Sequence, residues 1–237
     1  MMGFILIALA VLSLLSGGQS APVTNCDNLT QIIAIQGREQ LLGKWTQLAE
    51  STDITGSQVL TKAFSETSWV KITAANESNT INVFQVQKTF GRCFSLRSTM
   101  TLENNTLSMV RPMTLSEVLL NTGCPDCLVI SSKYTLGQST YRGLQFLSRR
   151  NKVTAAEMEE FKKQAECLNL PTPVFLDSDK GLCPDESTSQ QTKTIDLTSV
   201  TTDENFSKVI EKILGSEDVM KEMVDVFFSS MTGLTEN

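Results

Sequence analysis

An all-β core followed by amphipathic helices is the fold that this 237-residue sequence predicts, and three observations carry that prediction. Between residues 58 and 150, short stretches of β-branched and alternating residues recur about every ten positions, with polar turn clusters between them. At Thr154 the hydrophobic spacing changes to that of a helix. Six cysteines follow an apolar amino-terminal run, so disulfides are expected to supplement the core. A meander of this kind closes as a β-sandwich or a barrel.

Composition narrows the chemistry before any element is placed. With no histidine, the chain has no Ser-His-Asp or Cys-His nucleophile, no His general base and no His-ligated zinc or haem. The net charge of −6 argues against nucleic acid as a partner, since its recognition begins with a basic surface. A binder, a carrier or a thiol-based enzyme remains.

Residues 1–20 are expected to be a secretory signal peptide. The apolar run at 4–15 is too short to span a bilayer and is followed by Ser16-Gly-Gly-Gln-Ser-Ala-Pro22. No later stretch reaches 18 apolar residues, so no transmembrane segment is expected in the mature chain. Secretion favours disulfides among Cys26, Cys93, Cys124, Cys127, Cys167 and Cys183, and six cysteines allow 15 pairings. It also makes the Asn-x-Ser/Thr sites at Asn28, Asn76, Asn104 and Asn205 usable for glycosylation.

Along the mature chain, strands are expected over 68–73, 80–87, 93–102, 106–110, 127–132 and 141–147, with turns at 75–79 and 103–105. A helix is expected over 154–169. Thr154 and Glu157 form a capping box, Met158, Phe161, Ala165 and Leu168 follow on one face, and Pro171 closes the segment. Residues 185–202 are polar and linker-like. A second helix is expected over 203–231, weakened by Gly215, with an apolar stripe suited either to its own barrel or to a partner or lipid face. Residues 185–237 hold 11 acidic and 4 basic side chains, a net of −7, which leaves 21–184 near neutral. The division is therefore signal peptide 1–20, β domain 21–184, linker 185–202 and acidic helical extension 203–237.

Gly43-Lys-Trp45 at the start of the meander and Arg149 at its end resemble the lipocalins, in which an Arg packs on that Trp across the closed end of an eight-stranded antiparallel barrel. Such a contact contributes about 0.5–2 kcal/mol. Within the family, residues 22–184 are similar to α1-acid glycoprotein (orosomucoid) and to the fish saxitoxin and tetrodotoxin-binding and tributyltin-binding proteins. That similarity rests on Pro22-Val-Thr-Asn-Cys26, Gly43-Lys-Trp45, Cys93, Glu160 to Pro171, and Cys183 twelve residues on. The resemblance implies Cys26–Cys167 and Cys93–Cys183 disulfides. Cys124-Pro-Asp-Cys127 is left over where many lipocalins have Thr-Asp-Tyr. It is read as a local structural disulfide, with a redox-active pair as the alternative.

An eight-stranded barrel encloses room for one small ligand. Taking Arg149 as inward, strand alternation turns Leu147, Gln145 and Tyr141 towards the lumen. The resemblance adds Val70, Ile72, Gln85, Gln87, Met100, Met109, Arg111, Val129 and Ser131 as lining residues. It implies a secreted plasma carrier for a small lipophilic or amphiphilic ligand such as a lipid, drug, toxin or organotin, with no cofactor, no metal and no catalysis. Two alternatives stand beside it. One is a lipoprotein-associated carrier resembling apolipoprotein M, attached to a lipoprotein or protein partner through the C-terminal helix. The other is a thiol-dependent lipocalin enzyme using Cys124 or Cys127.

Overall fold

The computed structural model describes residues 25–185, except 55, 90, 112, 137 and 138, together with the backbone of 193–196. The signal peptide expected over residues 1–20, the helix expected over 203–231 and the sequon at Asn205 lie outside the described residues.

Eight strands follow one another as antiparallel neighbours: β1 (Gly43–Thr52), β2 (Ser65–Ala74), β3 (Thr80–Thr89), β4 (Arg92–Glu103), β5 (Thr106–Met109), β6 (Thr114–Leu120), β7 (Cys127–Leu136) and β8 (Ser139–Ser148). β8 pairs back onto β1, which closes the sheet into a barrel and removes its two free edges. Alternation divides every strand between two environments. In β3, Ile81, Val83 and Gln85 face inward, and their direct partners on β4 are Met100, Ser98 and Leu96. The turn between β4 and β5 needs left-handed backbone, supplied by Asn104 at φ 49° and Asn105 at φ 63°.

Two short helices and one longer one decorate the barrel: α1 (Cys26–Leu29), α2 (Ser57–Phe64) and α3 (Ala155–Cys167). The expected capping box opens α3, with Thr154 Oγ1 accepting from the Glu157 amide and Glu157 accepting from the Thr154 amide. Phe161 and Ala165 bury the inner face of α3 against Leu48, Ala49, Leu144 and Phe146 on the outside of β1 and β8. Phe161 stacks on Phe146 at a centroid distance of 5.0 Å. A two-residue strand, β9 (Val174–Phe175), then adds to β1. Cys26–Cys167 and Cys93–Cys183 tie the chain across 141 and 90 residues, and Cys124–Cys127 closes a local turn. All three pairs are those the sequence led us to expect.

One end of the barrel is sealed. Arg149 lies over the Trp45 indole, with Cζ 3.4 Å from the ring centroid, and its guanidinium donates to the carbonyls of Leu42 (2.6 Å) and Lys44 (2.8 Å). Partial burial lowers the Arg149 pKa without neutralising the group. Trp45 Nε1 donates to the Leu41 carbonyl at 2.7 Å. Gly43 makes the approach possible: at φ 102° it sits where a side chain is strained, and a Cβ would come within 2.7 Å of Arg149 Nη1. Beside this plug, Arg38 Nη1 donates to the carbonyls of Ala75 and Thr80, pinning the β2–β3 turn to the crossing amino-terminal segment.

Three expectations need correction. The meander does not begin at residue 58, because Ser57–Phe64 is helical; Leu, Lys and Ala there are helix formers, and the tertiary setting overrides the short β-like spacing. Strands β1 and β6 were not among those expected, since Gly43–Thr52 carries an irregular pattern and Thr114–Leu120 contains helix formers. The polar stretch 185–202 is not wholly a linker: Lys193–Asp196 forms a strand, β10, parallel to β4.

The plug predicts that Arg149→Ala lowers unfolding free energy by about 1–2 kcal/mol. Gly43→Ala destabilises by a similar amount through φ strain, about 1–2 kcal/mol. Urea titration measures both, and a loss below about 0.5 kcal/mol in either variant contradicts the role given to it.

Candidate ligand-binding site

Barrel closure leaves a lumen with a sealed floor and a mouth at the opposite end. A deep chamber of about 160 Å³ is lined by apolar side chains from nearly every strand, among them Leu41, Val70, Ile81, Met100, Ile130 and Leu147. A second cavity of about 350 Å³ lies towards the mouth beside the start of α2, between Glu50, Ile54, Tyr141 and Gln145. Met113, Tyr134 and Gln145 line both, so they form the waist between them.

Above the apolar floor the inward face turns polar. Gln47, Ser68 and Gln87 are direct cross-strand partners two residues beyond the row Trp45, Val70 and Gln85, so all of them face the lumen. A register shift between Gln47 and Ala49 on β1 then brings Glu50 to the same face, opposite Gln145. Gln85 Nε2 donates to Gln47 Oε1 at 3.3 Å, Gln47 Nε2 to Glu50 Oε2 at 2.8 Å, and Thr61 Oγ1 to Glu50 Oε1 at 2.6 Å. The Ser68 hydroxyl is buried and has no partner among the described residues.

Glu117 is the charged centre of this belt. It stands on β6 between the inward Leu115 and Leu119, directly opposite Ser132, whose hydroxyl donates to Glu117 Oε1 at 3.0 Å. Burial among apolar walls pushes its carboxyl up to about 7, against the smaller opposing effect of that hydrogen bond. Tyr134, two residues along from Ser132, is also raised, by burial and then by the charge of Glu117, with Glu50 adding to the effect. Gly143 makes room for Tyr134: a Cβ there would lie 3.1 Å from the phenol ring. No Lys or Arg is among the described residues lining either chamber, while both Glu50 and Glu117 are.

Of the expected lining residues, Val70, Ile72, Gln85, Met100, Met109, Gln145 and Leu147 line the deep chamber, and Tyr141 with Gln145 lines the outer one. Gln87 shares the inward face but bonds Ser65 Oγ at 2.5 Å and lies outside both linings. Arg111 is exposed beyond the end of β5. Val129 and Ser131 are on the wrong face: β7 turns Leu128, Ile130, Ser132 and Tyr134 inward, and Val129 packs in the cluster beneath α3. A one-residue error in parity reverses every side chain of a strand. Glu117, Tyr134 and Met113 were missed. Glu117 was visible in principle, as a lone acid on the apolar stripe Leu115-x-Glu117-x-Leu119.

Cys124, Asp126 and Cys127 also come together, their ligand atoms within 4.8 Å. The two sulfurs are bonded to each other and Asp126 pairs with Arg150 Nε at 2.8 Å, so the group reads as a clasp. Arg150 extends it to Glu157 at 2.8 Å, which holds the Glu157 carboxyl down at about 2. With both sulfurs in a disulfide, neither Cys124 nor Cys127 presents a thiolate. Asn28, Asn76 and Asn104 are exposed and stand at the sealed end, away from the mouth.

No family model matches the sequence, and no curated protein matches it. Among solved structures, one described as the siderocalin Ex-FABP, which functions through dual ligand specificities, matches with a TM-score of 0.52 and 17% identity, covering 59% of this chain and 95% of that one. The likeness is one of architecture: the chain has the lipocalin fold, a closed eight-stranded antiparallel barrel with a C-terminal helix packed on it. Among the described residues, no helix is long and apolar enough to cross a membrane.

The raised Glu117 carboxyl makes stability depend on pH in a defined direction. The folded state holds an additional proton between pH 4.5, the unperturbed value, and about 7. Its stabilising contribution is complete below pH 4.5 and is lost as pH rises through 7. Glu117→Gln should therefore match the parent near pH 4.5 and exceed its stability by up to about 3 kcal/mol at pH 8. Urea unfolding across that range tests this; a difference that does not change with pH contradicts it.

Proposed function

We propose that the protein is a secreted carrier that holds a small amphiphilic molecule in its barrel without altering it. The observation behind this reading is a lumen whose apolar floor ends in a belt containing two carboxylates and no cation among its described lining. Burying a hydrocarbon part against the floor supplies non-directional affinity. The belt then selects the head group. A protonated amine or guanidinium beside Glu117 would gain a charge-assisted hydrogen bond and offset the penalty of the buried carboxylate, whereas an anionic head would be repelled. Three disulfides suit an oxidising, extracellular compartment. The motif resemblance to α1-acid glycoprotein and the fish toxin- and organotin-binding proteins supports the drug-like and toxin-like end of the amphiphile range. A closed lumen with its cysteines paired supports carriage rather than catalysis.

Displacement of bound N-phenyl-1-naphthylamine by decylamine, decanol and decanoate tests the reading. At pH 7.5 decylamine should displace best and decanoate worst. Glu117→Gln should remove roughly tenfold or more of the advantage of the amine over the alcohol, the worth of a charged hydrogen bond. Acidification to pH 5.5 protonates Glu117 and should shrink that advantage in the parent alone. Equal displacement by all three, unchanged in Glu117→Gln, rejects the head-group assignment. A protein that binds neither the dye nor any of the three rejects the carrier.

A further inference from the structure

The barrel wall has a seam. β4 pairs with β3 from Arg92 to Thr101, but its other edge meets β5 through only Thr101↔Ser108, Leu102↔Leu107 and Glu103↔Thr106. Towards the mouth, that edge is met by the chain's own β10, which runs parallel to β4 from Lys193↔Phe94 to Asp196↔Arg97. The inward residues of the paired stretch of β4 are Phe94, at its exposed outer end, and Leu96; Leu96 lines the deep chamber together with Ser98 and Met100 further along β4 and Met109 and Met113 on the following strand and loop. An opening here would lead into the lumen at the level of the polar belt, because Phe94 is the cross-strand partner of Gln87 and Leu96 that of Gln85. Methionine walls deform readily around a passing chain.

We propose that β10 is a displaceable strand that closes this seam, and that ligand exchanges through the seam when the strand lifts. An unoccupied β4 edge would expose backbone donors and acceptors, so the edge needs an occupant. β10 is a short, lightly held ladder: it is four residues long and parallel, where the eight barrel strands pair antiparallel. It is also kept nearby. The Cys93–Cys183 disulfide anchors the chain beside the first residue that β10 pairs, and only nine residues separate Cys183 from Lys193. Trp69 Nε1 bonds the Cys183 carbonyl at 2.9 Å and Lys44 pairs with Asp185 at 2.5 Å, fixing the base of the tether. With so few residues between the disulfide and the strand, a lifted β10 cannot travel far from the β4 edge, so lifting is reversible.

The port rests on the carrier reading; the strand contact does not, and the experiment separates them. In the full-length protein, Thr194→Pro together with Ile195→Pro removes two consecutive amide donors, one of which faces β4 whichever way the ladder is phased. Amide exchange over residues 94–97 reads the strand, and stopped-flow dissociation of Nile red reads the port. The proposal expects faster exchange there and roughly tenfold faster dissociation. A Ser95→Cys, Thr194→Cys cross-link, joining directly paired positions, should slow dissociation instead. Unchanged exchange in the proline variant overturns the strand's role. Faster exchange with unchanged dissociation overturns the port. A parent protein that takes up no Nile red overturns the port together with the carrier reading, while the exchange result still decides the strand.

Discussion

Pairing of β8 with β1 is the contact on which the rest of the molecule depends, because it converts a meander into an enclosed volume. Without it the inward apolar rows would have to find a second sheet, and the belt of amides and carboxylates would face water. Closure alone leaves two open ends. The Arg149–Trp45 contact seals one of them, and it is feasible only because Gly43 carries no side chain where the guanidinium approaches. One glycine, one indole and one guanidinium thus decide that the lumen is a blind cavity with an orientation: apolar first, polar nearer the mouth.

That orientation gives the polar belt its consequence. Glu117 on an exposed strand face would be an ordinary carboxylate. Placed between Leu115 and Leu119 on the lumen side, it is held near neutrality by the cost of charge in a poorly solvated space. Ser132 supplies one hydrogen bond, which does not overcome that cost. The cationic head proposed for the ligand would meet this carboxyl, a Ser68 hydroxyl with no partner among the described residues, and amides already linked to one another. The outer face is organised differently: α3, the clasp of Asp126, Arg150 and Glu157, and the disulfides Cys26–Cys167 and Cys93–Cys183 hold the segments that flank the barrel to its wall.

Much of this architecture was legible in the sequence because local chemistry encoded it. The Thr154/Glu157 capping box, the ten-residue strand spacing and the Gly43-Lys-Trp45 and Arg149 pair each have a local physical signature, and each element formed where its signature stood. The site was less legible. Its parity on β8 followed from Arg149, but β7 offers apolar residues on both faces, since Val129 packs under α3 while Ile130 lines the lumen. Alternation alone cannot choose between two buried faces. Glu117 was passed over because its strand is rich in helix formers and was not recognised as a strand. β10 was hidden for another reason: Lys-Thr-Ile-Asp carries little strand signal, and its partner strand β4 lies about a hundred residues upstream, beside the Cys93–Cys183 disulfide.

On the proposed function, the Glu117 carboxyl inside the barrel is kept from ionising until a cationic head arrives. Carbon NMR of side-chain-labelled Glu117, titrated with and without saturating decylamine, tests it most directly. The midpoint should lie at about 7 in the free protein and move down by about one unit or more with the amine bound. A midpoint near the ordinary 4.5 in the free protein, or one that decylamine leaves in place, would contradict it.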